Sequence, residues 1–188
     1  MKDFIKLAGT LCVITFMAAA LLAGTNALTK DRIAAAAEEK QQKAMRALLP
    51  EAEKFELFNG NENIYMGTNS GGDIVGFCVT ATSSGYGGDI DLMVGINEEL
   101  KLSGVEILSN SETAGLGANC TKDDFKAQFA GLTTPVSVVK GGGANGVDQI
   151  NALTGATITS KAVVSGVNTA YDDLEKALIA YVQEGGDE

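Results

Sequence analysis

The feature that most constrains the fold of this chain is a run without a charged side chain, from Leu7 to Thr29, bounded by Lys6 and Lys30. About 20 helical residues span the roughly 30 Å hydrocarbon core of a bilayer, so this run is long enough to cross a membrane. The alternative is a cleaved signal peptide, because residues 25–27 (Thr-Asn-Ala) place small side chains where a signal peptidase needs them. The length of the apolar run favours an uncleaved anchor.

Charge is distributed unevenly along the 188 residues, whose formal net charge is −10. Residues 1–46 have a balance of +3, and residues 47–188 have a balance of −13. Basic residues flank the apolar run on both sides, so the positive-inside rule gives only a weak preference. A short segment before a single helix favours a cytoplasmic N-terminus, which predicts an extracytoplasmic acidic domain. That acidity argues against nucleic acid as a partner.

The chain contains no histidine and no tryptophan. The absence of histidine excludes a histidine general base, a Ser-His-Asp triad and histidine-ligated metals. The cysteines Cys12, Cys78 and Cys120 never form a C-x-x-C pair, which argues against iron–sulfur clusters and zinc ribbons. A disulfide between Cys78 and Cys120 is the less favoured alternative to two isolated thiols, and Cys12 is expected to be a small apolar residue of the membrane run.

Three segments are predicted: residues 1–29 form the cytoplasmic N-terminus and transmembrane helix, residues 30–50 a helical stalk, and residues 51–188 the folded domain. High helix propensity across residues 30–48 predicts a continuation of the membrane helix, and a solvated spacer is favoured over a binding helix. Short β-rich runs separated by Gly, Asn and Ser follow, at residues 64–66, 73–82, 90–96 and 102–108. Their spacing predicts an antiparallel meander.

Within the second β-rich run, Phe77, Val79 and Ala81 alternate with more polar positions, so one face of the sheet is expected to be buried. A short helix is predicted at residues 123–129 with Thr121 as N-cap, and a strand at residues 136–140. Apolar residues at spacings of three and four predict a long helix at residues 159–183. The fold class is therefore α+β: one transmembrane helix followed by a domain with a twisted antiparallel sheet and packed helices.

Residues 153–160 (Leu-Thr-Gly-Ala-Thr-Ile-Thr-Ser) carry the clearest chemical signal. Hydroxyl residues and a glycine surround the start of the long helix. A helix N-terminus presents free N–H groups and the positive end of the helix dipole, which favours a phosphate. From the residues alone, an ordinary Ser/Thr N-cap is the competing interpretation.

The segment Thr154-Gly155-Ala156-Thr157 resembles the S/T-G-A-T flavinylation motif of the FMN-binding domain shared by RnfG and NqrC subunits. Residues 112–117 (Glu-Thr-Ala-Gly-Leu-Gly) resemble the E-T-P-G-L-G loop of that family, and residues 85–90 with 94–96 resemble its glycine-rich turn and following strand. The three motifs occur in the family's order behind a membrane anchor, and the chain length fits RnfG better than NqrC.

This resemblance implies that a dedicated flavin transferase attaches FMN, taken from FAD, to the hydroxyl of Thr157 through a phosphoester. It also implies an FMN site built from neighbouring residues, in which Leu116 contacts the ring and Glu112 accepts backbone hydrogen bonds or is only a surface charge. Lys140 is expected either to neutralise the phosphate or favour reduced flavin, or to be a surface lysine. The predicted cofactor-binding residues are Thr157, Thr154, Gly155, Ala156, Glu112, Thr113, Gly115, Leu116 and Lys140.

The implied function is an electron-carrier subunit of an Rnf-type membrane complex that couples ferredoxin and NAD to ion movement. Its partners would be the other subunits, the flavin transferase and the lipid bilayer. The chain itself is not expected to bind NAD or to be catalytic alone. Two alternatives stay open: a membrane-tethered FMN-domain reductase that uses a soluble acceptor, and a β-rich surface module in which residues 154–157 only cap a helix.

Overall fold

The structure is a computed structural model that describes residues 2–144, 146–183 and 185. Contacts divide the chain into two compact units, residues 1–40 and residues 41–188. The second unit contains the sheet and all of the predicted FMN-site residues.

Helix α1 extends from Lys2 to Leu48, so the predicted helical continuation of the membrane run through residues 30–48 is confirmed. Along the uncharged run, hydroxyls such as those of Thr15 and Thr25 donate back to carbonyls four residues earlier, which satisfies these polar groups within an apolar stretch. Among the residues described, α1 is the one helix long and apolar enough to cross a membrane, by length and composition. A signal sequence near an N-terminus would meet the same criteria.

Five strands form one antiparallel sheet in chain order, which confirms the predicted meander. They are β1 (Lys54–Leu57), β2 (Ile64–Thr68), β3 (Ile74–Ser84), β4 (Asp89–Asn97) and β5 (Leu102–Asn110). The hairpin of β4 and β5 pairs Ile96 with Leu102. Strand β1 lies before the first predicted strand and pairs with β2 at the sheet edge.

Helix α3 (Thr157–Gln183) covers one face of this sheet and begins two positions before its predicted start at residue 159. The core between them combines strand residues such as Val79 and Leu92 with helix residues such as Val163 and Val167, all almost completely buried. Burial of Phe77 and Val79 confirms the face expected from the alternation in β3.

The opposite face of the sheet is also buried, around Cys78 and Met93, and this differs from the expected single buried face. The cover comes from the last turns of α1, where Met45, Leu48 and Leu49 have the three- and four-residue spacing of one helix face. The prediction of a solvated stalk through residue 50 is therefore wrong for these turns. The compact unit begins at Gln41, before the predicted domain start at residue 51.

A 3₁₀ turn (Phe58–Gly60) lies between β1 and β2, and the other elements connect β5 to α3. These other elements are a 3₁₀ turn (Gly117–Thr121), α2 (Asp123–Lys126), another 3₁₀ turn (Ala127–Phe129), and the short parallel strands β6 (Ser137–Val139) and β7 (Gln149–Asn151). Strand β7 was not predicted. The predicted cap by Thr121 is wrong, because its hydroxyl donates to the carbonyl of Ala118 and Lys122 occupies the N-cap of α2.

The cysteines are free thiols, which confirms the favoured prediction for Cys78 and Cys120. Cys78 belongs to the cluster beneath α1, whereas Cys120 belongs to the core beneath α3. The body of the sheet therefore keeps the two thiols apart.

Candidate functional site

Three segments meet at one end of the sheet and enclose an open cleft of about 480 Å³. They are the turn between β3 and β4, the loop that follows β5, and the first turn of α3. This volume lies within the range of small-molecule sites, roughly 300–1,000 Å³. The cleft is lined by Tyr86, Glu112, Thr113, Leu116, Gly117, Gly155, Ala156, Thr157, Ile158 and Thr159.

The loop after β5 is held by hydrogen bonds within its own backbone. The carbonyl of Thr113 accepts from the N–H groups of Leu116 and Ala118, both at 3.1 Å, and the Asn119 side-chain amide donates to the carbonyl of Gly115 at 2.9 Å. This compact loop leaves the Leu116 side chain 45% exposed at the cleft. Leu116 is therefore a surface residue of the cleft and not a core residue of the domain.

Glu112 joins all three segments through its carboxylate. Its Oε1 accepts hydrogen bonds from the backbone N–H groups of Tyr86 (2.7 Å) and Gly87 (3.0 Å), and its Oε2 accepts one from the Thr159 hydroxyl (2.6 Å). We call these three bonds the Glu112 clasp. The predicted acceptance of backbone hydrogen bonds by Glu112 is confirmed.

The clasp also determines the charge of Glu112. Desolvation by burial raises the pKa of the carboxyl, but the bonds from Thr159, Gly87 and Tyr86 lower it by more, so the pKa lies below its ordinary value of 4.5. Each of these donors is oriented to stabilise the ionised form. Glu112 is therefore an anion at neutral pH.

Two glycines make room for the clasp. A Cβ added to Gly117 would collide with Oε2 of Glu112 and lie 2.6 Å from the Thr159 hydroxyl oxygen. A Cβ added to Gly85 would collide with Oε1 of the same carboxylate. The glycines of the two loops therefore bring the carboxylate close to the backbone.

Thr157, the first residue of α3, lines the cleft. Gly155, at φ +76°, makes the turn into the helix, and a Cβ there would lie 3.1 Å from Cδ2 of Leu116. Ser160 holds this turn, since its hydroxyl accepts from the N–H of Leu153 at 2.9 Å and donates to the carbonyl of Ala156 at 3.0 Å. In the described part of the chain the Thr157 hydroxyl makes no hydrogen bond, so capping does not occupy it.

Six of the nine predicted site residues line the cleft together: Glu112, Thr113, Leu116, Gly155, Ala156 and Thr157. Gly115 and Thr154 lie next to lining residues without lining the cleft, and the structure does not bring Lys140 to it. Lys140 is an exposed residue directly after β6.

Gly117 lines the cleft, as expected for a glycine of the loop predicted to lie against the ring, whereas sequence reasoning did not assign Tyr86, Ile158 or Thr159 to the site. The sequence signal for Tyr86 was an aromatic residue inside the glycine-rich turn. In the structure this side chain is 72% exposed, so it does not contribute to the core. No pattern in the sequence indicates the bond between Thr159 and Glu112, because the two residues are separated by 47 positions.

The lining fits a flavin nucleotide. Tyr86, Leu116 and Ile158 offer aromatic and aliphatic surface for a flat ring, and all three side chains are substantially exposed. The N-terminus of α3 offers N–H groups suited to a phosphate, next to the unbonded Thr157 hydroxyl.

Two family models match the chain, the RnfG N-terminal region at residues 1–48 and the FMN-binding domain at residues 85–172. The chain is also similar to curated proteins over most of its length. It is 36% identical to the G subunit of an ion-translocating oxidoreductase complex of Methanosarcina acetivorans, over 91% of this chain and 94% of that protein. It is 35% identical to the G subunit of a proton-translocating ferredoxin:NAD(+) oxidoreductase complex of Clostridium ljungdahlii, over 87% and 88%.

A third relative is the G subunit of a Na(+)-translocating ferredoxin:NAD(+) oxidoreductase complex of Acetobacterium woodii, with 34% identity over 93% of this chain and 95% of that protein. Two solved structures share the fold. NqrC of Shewanella oneidensis gives a TM-score of 0.54 at 20% identity, covering 57% of this chain and 54% of that chain. The C subunit of the Na(+)-translocating NADH-quinone reductase of Parabacteroides distasonis gives 0.53 at 25% identity, covering 61% of each chain.

These likenesses confirm the α+β fold and the family expected from the three motifs. Every residue that lines the cleft falls within the region that matches the FMN-binding domain. The chain therefore belongs to the RnfG family, the G subunits of ion-translocating oxidoreductase complexes.

Proposed function

We propose that this chain is the electron-carrying G subunit of an Rnf-type ferredoxin:NAD oxidoreductase complex and carries FMN attached by a phosphoester to Thr157. The observation that carries the proposal is the unbonded hydroxyl of Thr157, located where α3 begins and where the cleft opens. The names of the relatives in Clostridium ljungdahlii and Acetobacterium woodii supply the reaction class of the complex.

The chain's own residues would hold the two ends of the cofactor separately. Thr157 would form the P–O bond as the pyrophosphate bond of FAD breaks, with loss of the hydroxyl proton and release of AMP, and a flavin transferase would catalyse this exchange. The N–H groups at the start of α3 would then bind the phosphate oxygens. Bound FMN supplies the redox chemistry, which requires no catalytic histidine.

The ring end has no covalent attachment, so side chains of the cleft must hold it. Leu116 offers an aliphatic surface, and Tyr86 offers an aromatic one across the cleft lining. The Glu112 clasp fixes the two loops that carry these side chains. A rigid site of this kind keeps the ring at a constant distance from donor and acceptor subunits, which a relay requires.

We also propose that α1 anchors the chain in the plasma membrane with the domain outside the cytoplasm. Support comes from the uncharged run between Lys6 and Lys30 and from the short segment that precedes it. Protease added to intact spheroplasts should remove the domain beyond about residue 50. Full protection of the domain would contradict this orientation.

Intact mass under denaturing conditions tests the flavin attachment. The wild-type chain should retain an added mass of one FMN less water, and its denatured band should fluoresce under ultraviolet light. Thr157→Ala should lose both signals, whereas Thr133→Ala, at an exposed position outside the cleft lining and outside the motif at residues 154–157, should keep them. A fluorescent Thr157→Ala band would contradict the assignment.

Intact mass and co-purification together separate the two alternative functions. A β-rich surface module predicts no added mass on the wild-type chain. A reductase that works outside a complex predicts the flavin mass but no co-purification with ferredoxin- and NAD-dependent subunits from detergent-solubilised membranes.

A further inference from the structure

We propose that the fixed negative charge of Glu112 lowers the reduction potential of the flavin held in the cleft. The inference rests on the proposed function, since it concerns flavin bound beside Thr157. It assigns to this carboxylate a role in tuning the cofactor, in addition to its structural role in the clasp.

The first argument is the charge balance of the cleft. Glu112 is the one acidic residue among the described residues that line it, and no lysine or arginine is among them. The other lining residues are uncharged: apolar, aromatic, hydroxyl or glycine. A ring in this cleft therefore lies near one carboxylate charge, which hydrogen bonds from Tyr86 and Thr159 stabilise but no lysine or arginine of the lining neutralises.

The second argument is that this charge cannot move away. Three hydrogen bonds, from Tyr86, Gly87 and Thr159, hold both carboxylate oxygens, and the carboxylate lies close against Gly85 and Gly117. The charge of Glu112 also bears on a second group, the buried thiol of Cys120. Burial raises the pKa of the Cys120 thiol, and the charge of Glu112 raises it further.

The consequence for electron transfer follows from electrostatics. Reduction adds negative charge to the ring, and a fixed anion nearby makes that addition less favourable. Electron loss to an acceptor is favoured by the same amount. A carrier that must pass electrons onward gains from such a charge, because the reduced form becomes a stronger donor.

The test is a potentiometric titration of the full-length, covalently flavinylated chain in detergent, with dithionite as the electron donor and redox dyes as mediators. Glu112→Gln removes the charge and can preserve the clasp, because its amide oxygen still accepts from the backbone and its amino group can donate to Thr159. We expect the ratio of reduced to oxidised flavin at a fixed potential to rise about tenfold. An unchanged ratio would overturn the inference.

Two control variants separate the effect of the Glu112 charge on the flavin potential from the effect of a disturbed clasp. Asp91→Asn removes a carboxylate that is likewise held by two hydrogen bonds, from Thr82 and Ser109, but lies outside the cleft lining, and it should leave the potential at the wild-type value. Glu112→Asp keeps the charge while disturbing the clasp, so it should lower the melting temperature without raising the potential. A rise in Glu112→Asp equal to that in Glu112→Gln would contradict the electrostatic explanation.

A second route covers the case in which Glu112→Gln loses its flavin. Thr113→Lys places a cation beside the carboxylate at an exposed position of the cleft, with Thr113→Gln as the uncharged control. A higher potential in the lysine variant alone supports the inference, and equal potentials overturn it. A wild-type chain without covalent flavin would contradict the proposed function and this inference together, whereas flavin-loaded chains with unshifted potentials would contradict only the inference.

Discussion

The hydroxyl of Thr159 donates a hydrogen bond of 2.6 Å to Oε2 of Glu112 and thereby ties the first turn of α3 to the loop that follows β5. Thr159 itself is 1% exposed, whereas Glu112 is partly buried, so the donor end of the bond is the end shielded from water. Hydrogen bonds to a charged acceptor are stronger than those between neutral groups. The bond therefore fixes the two segments that carry Leu116 and Thr157.

Gly117→Ala should break this link. The added Cβ would collide with the Glu112 carboxylate and force it away from its three hydrogen-bond donors, so we expect a loss of about 1–3 kcal/mol in the free energy of unfolding. Gly143→Ala is the matched control, because open space surrounds that position, and its effect should stay within about 0.5 kcal/mol. Urea unfolding of both variants measures the difference. Equal stabilities would show that the loop shifts without cost.

Acid should reduce the contribution of the Glu112 clasp to the stability of the fold. The pKa of Glu112 is lowered on folding, so its contribution to stability is complete above the ordinary value of 4.5 and is lost as the pH falls from there through the folded pKa. The stability advantage of the wild type over Glu112→Gln should therefore shrink below about pH 4.5. Chemical unfolding of both proteins between pH 3 and pH 7 gives this difference directly. An advantage that does not change with pH would exclude an ionised clasp.

Leu116→Ala should affect the flavin more than the fold. Its side chain is 45% exposed, so truncation in a flavin-free Thr157→Ala background should cost less than about 1 kcal/mol. Leu174→Ala, at a position 1% exposed, should cost about 2–5 kcal/mol in the same background. In the flavinylated chain, Leu116→Ala should shift the flavin absorption band and increase its fluorescence. An unchanged flavin spectrum would remove Leu116 from the ring contacts.

The last turns of α1 should be necessary for the thermal stability of the domain. A chain that begins at Gln41 keeps Met45, Leu48 and Leu49, whereas one that begins at Glu51 exposes the face around Cys78 and Met93. Each lost apolar side chain contributes roughly 1.5–3 kcal/mol, so the shorter chain should melt at a lower temperature.

Thiol labelling provides an independent readout of the same truncation. Burial raises the pKa of Cys78 to about 12, so its thiol should react slowly in the chain that begins at Gln41. It should react quickly in the chain that begins at Glu51. Equal labelling rates and melting temperatures would show that α1 does not protect the sheet.

Local patterns were sufficient to predict most of the elements. The runs that form β2 to β5 are rich in strand-favouring residues and are separated by turn residues, and α3 has a continuous apolar stripe. Strands β1 and β7, with four and three residues, are too short for a periodic signal. The stalk prediction failed for a different reason. The apolar spacing of Met45, Leu48 and Leu49 indicates one helix face but not the surface against which that face packs.

The sequence by itself determined the membrane-length run, the α+β class and the family, because each depends on residues that are contiguous along the chain. Only the tertiary structure decided that Glu112 binds the turn at Tyr86 and the helix at Thr159, and that Lys140 lies apart from the cleft. The physical reason is that such contacts join residues far apart in sequence. Their geometry is set by how the sheet and α3 pack, which no local pattern contains.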